Sequence, residues 1–286
     1  MSITFYTSSM THIPAPVIGL GTWSREPDTS LVRATELPLG ATSSFVILSE
    51  AHDIEVSTEW EPHSHSAHEL LWAQEGTLTA QIEGQIFTVS EGYGLWIPAK
   101  MLHGGRLTAH IKLYSAFFAP ERTTTEFRVP TVIRMEPLLE SLLIHLSRRE
   151  LSQEARARAE AVVFDVLKPS AHQVALHLPD DPRISGIANQ LLANPADNRP
   201  LEQWAVETGV SARTITRAYR EATGLSFAQW RQAVKVHRAL ELLAAGEGVQ
   251  DVADLLGYAQ PSTFIDAFRR IMGSTPGAFT MVSSKK

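Results

Sequence analysis

Two groups of side chains in this chain have the types and spacing to do chemistry. His63, His65 and Glu69 share one parity, so on an extended strand they lie on one face. Imidazoles and a carboxylate on one face can ligate a divalent ion, or wall a pocket that hydrogen-bonds an organic molecule. His68 has the opposite parity and reads as an outer-face or packing histidine. In the second half, Arg213, Arg217 and Arg220 stand at i, i+4 and i+7, which puts them on one helical face. Guanidinium groups so placed can pair with guanine edges or phosphates in a major groove, or form a solvated basic face.

The elements that must hold those arginines are written twice. Leu201-Glu-Gln-Trp-Ala-Val-Glu-Thr-Gly-Val-Ser and Val249-Gln-Asp-Val-Ala-Asp-Leu-Leu-Gly-Tyr each place Gly four residues after Ala, at Ala205 to Gly209 and Ala253 to Gly257. The small residue lets two helices approach, and the Gly turns the chain in a left-handed conformation. Ser211 is an N-cap for the arginine-bearing helix. A helix over about 227–245 joins the two units, with Trp230, Val234, Leu240, Leu242 and Leu243 apolar and a stop at Gly246. Ile215, Tyr219, Phe264, Phe268 and Ile271 follow helical spacing and read as core, as does Trp204. Pro261 suits a first helical turn.

The first 120 residues read as short strands. Thr77-Leu-Thr-Ala-Gln-Ile alternates, Glu83-Gly84 suits a two-residue hairpin turn, and Gln85-Ile-Phe-Thr-Val returns, which argues for an antiparallel barrel or jelly roll. After Pro130, Leu138, Leu139, Leu142, Leu143 and Leu146 form a helical stripe, and a second helix is expected over 152–167. Such helices serve as core cover. An exposed leucine stripe of this size also predicts a homodimer contact. The Pro-containing segment 168–182 reads as the linker that sets the DNA-reading helices apart from the barrel.

Composition frames these readings. The chain has 286 residues, 44% of them hydrophobic, enough for two domains. It has no Cys, which excludes disulfides and thiolate sites and agrees with a reducing cytoplasm. There is no run apolar enough to span a bilayer, and Met1-Ser-Ile-Thr-Phe-Tyr lacks a signal-peptide pattern, so a cytoplasmic protein is expected. The net charge of −6 divides unevenly: from Arg183 onward 12 Lys and Arg outnumber 9 Asp and Glu, giving +3, while 13 against 22 before it give −9. Only the C-terminal part favours nucleic acid, and modestly.

The run Thr223-Gly-Leu-Ser-Phe-Ala-Gln-Trp-Arg-Gln, then Leu255-Leu-Gly-Tyr, then Phe264-Ile-Asp-Ala-Phe-Arg-Arg-Ile-Met-Gly-Ser-Thr-Pro, resembles the C-terminal domain of AraC/XylS-type transcription regulators over roughly the last 100 residues. The resemblance implies seven helices in two helix-turn-helix units that enter successive major grooves. Carried over by position, Arg213, Thr216, Arg217 and Arg220 face DNA from the first unit, and Ser262, Thr263, Asp266 and Arg269 from the second. Gln260 stands where Ser is common, and Asp266 where a basic or neutral residue is usual. A double-stranded operator, an effector and RNA polymerase are the implied partners.

His63-Ser-His65, Glu69 and Gly76 resemble the first cupin motif, and Gly92, Pro98 and His103 the second, with Lys100 at the usual Gly position. The resemblance implies a jelly roll in which His63, His65, Glu69 and His103 point inward. That set would hold a divalent ion such as Fe, Mn, Ni or Zn with positions open to a ligand, or would wall an organic effector's pocket. Trp60, Trp72 and Trp96 lie near these motifs as pocket lining or as aromatic core. The fold expected is α+β and multidomain. Residues 1–178 would form a cupin-like antiparallel jelly roll for sensing and dimerisation, with helices over about 131–167, and 179–286 an all-α tandem helix-turn-helix domain. The function expected is a sequence-specific transcription regulator that senses a small molecule or metal ion. The alternative is a metal-dependent cupin enzyme with an appended DNA-binding module.

Overall fold

The computed structural model describes residues 30–32, 46–148, 150–170 and 175–280. The N-terminal segment read above for a leader, and residues 171–174 of the linker, lie outside them. Strands β1 (Ser30–Val32), β3 (Thr58–His63), β5 (Thr77–Ile82), β6 (Gln85–Ser90), β8 (His103–Leu107) and β11 (Ala175–His177) form one sheet, in the order β1-β3-β8-β5-β6-β11. Strands β2 (Ile47–Ile54), β4 (His68–Gln74), β7 (Tyr93–Ile97), β9 (Ile111–Phe118) and β10 (Thr131–Arg134) form the other, in the order β10-β7-β4-β9-β2. Every pairing is antiparallel except β1 with β3. The expected hairpin turn has positive φ at both Glu83 (45°) and Gly84 (77°), which suits the right-handed twist of β5 and β6.

Alternation explains the layers. Ala80, Ile82, Phe87 and Val89 from the first sheet meet Leu95, Ile97 and Val132 from the second, which fills the space between them as a jelly roll requires. The outward residues of the second sheet, including Leu70, Trp72, Trp96, Tyr114 and Phe118, are covered by α1 (Pro137–Leu146) and α2 (Gln153–Val166). Arg156 of α2 donates to the carbonyls of Ile47, Leu146 and Arg148, while Glu160 accepts from the amides of Val46 and Ile47, so the hairpin is tied to an edge strand.

Here the leucine stripe is corrected. Leu139, Leu143 and Leu146 are buried against the barrel's own sheet, and Leu138 alone of the five is exposed, at 55%. Periodicity shows that a helix has an apolar face but not whose surface covers it, and here the covering surface is intramolecular. Leu143→Ala is therefore expected to cost about 2–5 kcal/mol of stability in chemical denaturation, with no change in association state by sedimentation.

The C-terminal part holds α3 (Ser185–Ala193), α4 (Leu201–Thr208), α5 (Ala212–Thr223), α6 (Phe227–Ala244), α7 (Val249–Leu255) and α8 (Pro261–Met272). Among the described residues, a 3-10 turn at Pro276–Ala278 follows these six α-helices, where the resemblance implied seven. Gly209 and Gly257 are left-handed, at φ 68° and 70°, and Ser211 caps α5 by accepting the Thr214 amide. Two cores flank α6: Trp204, Ile215, Tyr219 and Trp230 on the first unit's side, Leu240, Leu243, Phe264 and Phe268 on the second's.

The segment read as a linker does not hold the two parts apart. Its β11 pairs with β6 of the barrel, and Trp230 of α6 donates to the His177 carbonyl at 2.7 Å. Ile86 and Leu176 of the sheet join the apolar cluster of the first DNA-reading unit. Helix α6 lies against the outer face of the first sheet.

Candidate barrel site and DNA-reading faces

His63 closes β3 and His103 opens β8, and the two are cross-strand partners. His65 sits in the β3–β4 connection and Glu69 on β4, so both sheets contribute. Nitrogen atoms of His63, His65 and His103 lie within 4.8 Å of one another. Glu69 Oε2 is 3.0 Å from His65 Nε2 and 3.4 Å from His103 Nε2.

Backbone contacts fix how these rings present themselves. Nδ1 of His63, His65 and His103 lies 2.9, 2.8 and 2.9 Å from the carbonyls of Glu61, Ala67 and Met101. A carbonyl only accepts, so each Nδ1 carries a proton, and Nε2 is the atom left to face the site, bare when a ring is neutral and donating, as His65 does to Glu69, when it is charged. With the three rings neutral, three imidazole lone pairs and the Glu69 carboxylate converge. His103 Nε2 is buried and, among the described residues, makes no aligned hydrogen bond, although the carboxylate is 3.4 Å away. Three imidazoles and a carboxylate that converge in this way fit a cation, and backbone-anchored Nδ1–H groups are the outer shell that orients imidazole ligands. Burial alone would raise the Glu69 carboxyl, yet His103 and His65 hold it down to about 2. Burial opposes a charge on His65 too, but Glu69 raises its pKa above the ordinary value, while burial and His103 lower His63.

Lys100, which replaces the usual Gly of the second motif, has φ +67°. The left-handed backbone that favours Gly is thus kept by a lysine, and its amide donates to the His65 carbonyl at 2.8 Å, tying the two motifs together.

The tryptophans separate. Trp60 is half-buried and packs on the core between the sheets. Trp72 and Trp96 face the other way, so their reading as pocket lining is corrected to core. Trp72 stacks on Tyr114 at 5.1 Å and donates to Glu140 of α1. Trp96 packs on Phe118 and Phe127 and stacks on His68 at 5.2 Å. His68 is the packing histidine its parity predicts, and its Nδ1 accepts the Ala99 amide.

Arg213, Arg217 and Arg220 are exposed along α5, with Thr216 half-buried among them and back-bonded to the Ala212 carbonyl. On α8, Ser262, Thr263, Asp266 and Arg269 are exposed. Pro261 opens the helix, and the Thr263 amide donates to the Gln260 carbonyl at 3.1 Å. Asp266 pairs with Arg269 at 2.9 Å and so offsets part of this face's charge. Arg217 lies 3.7 Å from Glu221.

One cluster was not foreseen. Glu241 of α6 is buried against the barrel, with Oε1 accepting from Thr79 (2.9 Å) and Arg106 (2.8 Å) and Oε2 from Arg238 (2.6 Å). His237, one turn earlier, is buried with Nδ1 3.0 Å from Thr88 Oγ1. Arg106 is on β8, three residues from His103 and on the opposite face. The signal available was a His and a Glu at i, i+4 on a helix flanked by apolar residues. Their partners lie 135 to 162 residues away.

Two family models match the chain in succession. Residues 46–194 match the model of an AraC-like ligand binding domain, and residues 204–281 that of a helix-turn-helix domain. The chain is 34% identical to the HTH-type transcriptional regulator NimR of Escherichia coli over 222 residues, 76% of this chain and 81% of NimR. It is 32% identical to the HTH-type transcriptional regulator RipA of Corynebacterium glutamicum over 219 residues, 75% of this chain but only 62% of RipA, less than two thirds of that relative. The HTH-type transcriptional activator RhaR of Pectobacterium atrosepticum is 22% identical over 240 residues, 76% of this chain and 84% of RhaR.

Proposed function

The chain belongs to the AraC family of transcription regulators, and from that premise we propose that occupancy of the barrel site alters how α6 docks on the barrel, and with it how the two recognition helices meet DNA. The observation that carries this reading is the double attachment of α6, which joins the two helix-turn-helix units and also buries His237 and Glu241 against the barrel. Strand β8 carries His103 inward and Arg106 outward to Glu241, so one strand serves both the site and the interface. A ligand acts through such an interface only if it binds its two arrangements with different affinity.

His63, His65, Glu69 and His103 would hold a divalent ion, with Fe, Mn, Ni and Zn all compatible with imidazole and carboxylate donors. When bound, the ion would supply positive charge and an open coordination position to an oxygen or carboxylate of an effector. This chain's own residues orient the donors: the Glu61, Ala67 and Met101 carbonyls hold the rings. All three relatives are named as transcriptional regulators or activators, which favours a sensor over the alternative of a cupin enzyme with an appended DNA-binding module. A homodimer on an operator, with RNA polymerase as partner, completes the proposal, and no described helix is long and apolar enough to cross a membrane.

The test measures metal content together with binding to a DNA duplex selected in vitro by the full chain, with and without added Ni, Mn, Fe or Zn. His63→Ala/His65→Ala is expected to lose the ion, because two remaining donors leave it mostly water-ligated, a larger loss than the about 10–100-fold in metal affinity that follows from disturbing an outer-shell partner alone. The ion-dependent change in DNA binding should vanish with it. Undiminished metal content in the double variant would overturn the ligand assignment.

A further inference from the structure

The first and second DNA-reading units have separate cores on the two halves of α6, so their spacing is set by α6 and by whatever crosses between them. One polar joint does so at the middle of the helix. Lys235 is 2% exposed, and its Nζ donates to Asn198 Oδ1 at 2.7 Å and to the Leu256 carbonyl at 2.8 Å. Asn198 belongs to the α3–α4 connection, which leads into the first unit. Leu256 is the C-cap of α7 and belongs to the second. The Asn198 amide uses both ends, since its Nδ2 donates to the Gly257 carbonyl at 2.6 Å.

The surroundings leave little slack. Gly257 has φ +70°, and a Cβ there would meet the Ala196 carbonyl oxygen at 2.8 Å, so the loop of one unit rests on the turn of the other. Lys235 Nζ lies 4.8 Å from the Tyr258 ring, whose hydroxyl donates to Gln232 of α6 at 2.6 Å. Burial lowers this ammonium to about 8, with Arg231 adding repulsion. A long apolar side chain would fill the place without that desolvation cost, but it would not tie Asn198 of one unit to the Leu256 carbonyl of the other.

We propose that Lys235 and Asn198 are positioning residues that fix the distance and angle between the two recognition helices, and hence the number of base pairs between the two DNA elements that one subunit reads. This rests on the DNA-binding reading above. One base pair moves an element about 3.4 Å along the duplex and roughly 35° around it, so a rigid pair of helices discriminates steeply against altered spacing.

The probe is a duplex selected from a randomised library by the full chain, with the spacing between its two protected elements then changed by one base pair either way. Wild type should prefer the parent spacing by about tenfold or more, and Lys235→Met should reduce that preference to about threefold or less. The readout is a ratio of affinities on one preparation, so a smaller folded fraction cancels and a purely structural role would leave it unmoved. Asn198→Ala, on an exposed loop, gives the same reading if Lys235→Met does not fold. Full spacing preference in either folded variant overturns the proposal, as does a wild type indifferent to spacing. Failure to select any duplex would instead sink the DNA-binding reading on which it stands.

Discussion

Replacing Arg213, Arg217 and Arg220 together with Ala is expected to remove specific DNA binding while leaving the fold intact. All three are exposed on one face of α5. The core of that helix lies on the opposite face, at Ile215, Ala218 and Tyr219, and Ala is a better helix former than Arg. An arginine that reads a guanine is worth about 1–3 kcal/mol of discrimination, and one that touches phosphate adds about one unit of salt slope. Even with incomplete additivity, the triple variant should lose at least about 100-fold in affinity. Arg269→Ala on α8 should matter less, because Asp266 already neutralises part of that guanidinium. Fluorescence anisotropy on the selected duplex at two salt concentrations separates base reading from phosphate contact. Affinity and salt slope unchanged in the triple variant would mean that α5 is not a recognition helix.

The helices of the DNA-reading part were legible because their punctuation is local. Ser211 caps, Gly209 and Gly257 turn, and the arginines fall opposite Ile215 and Tyr219. In the barrel, His63, His65 and Glu69 meet, but across the β3–β4 connection and from both sheets rather than on one face of an extended strand, so parity was not what joined them. The Glu83-Gly84 turn did set the register of β5 against β6. Parity could have separated Trp72 from the site, since it lies three residues after Glu69 on the same strand and must face the other way. Proximity in sequence to a motif was the wrong guide there.

What could not be read was which surface covers which. The α1 leucines look alike whether a partner subunit or β4 and β9 lie beneath them. The segment after Lys168 carries the prolines of a linker, yet its three-residue strand completes a sheet edge. Sequence spacing orders residues along an element, but the pairing of β8 with α6 is a contact across 135 residues that no local pattern encodes.

That contact makes the docked arrangement sensitive to acid. Burial pushes His237 down to about 4, with Glu241 opposing, so between pH 6.5 and about 4 the released or unfolded chain takes up a proton that the docked one does not. Stability of the docked state is therefore fully present above pH 6.5 and falls on acidification across that window, by roughly 1.4 kcal/mol per pKa unit, or about 3 kcal/mol. Glu241 has the same sign. Burial alone would raise it, but Arg106 and Arg238 hold it below its ordinary value, so its contribution is present above about 4.5 and disappears as pH falls through the lowered pKa. The groups facing this pair are Thr79, Thr88 and Arg106 from the sheet and Arg238 from α6 itself. Glu241→Ala should weaken α6 docking even at neutral pH, by less than the about 3–5 kcal/mol of a fully buried pair, because the side chains of Arg106 and Arg238 are 24% and 36% exposed. His237→Gln should keep a polar neighbour for Thr88 and flatten the pH dependence between 6.5 and 4.5. Hydrogen exchange of the α6 and β6 amides from pH 7.5 to 4.5, corrected for the intrinsic rate, is the measurement. Equal protection of wild type and His237→Gln across that range would remove His237 from the interface energetics. Loss of α6 protection in acid with the barrel still protected would show that the two parts separate before either unfolds, which is the freedom an effector in the barrel needs in order to act on DNA.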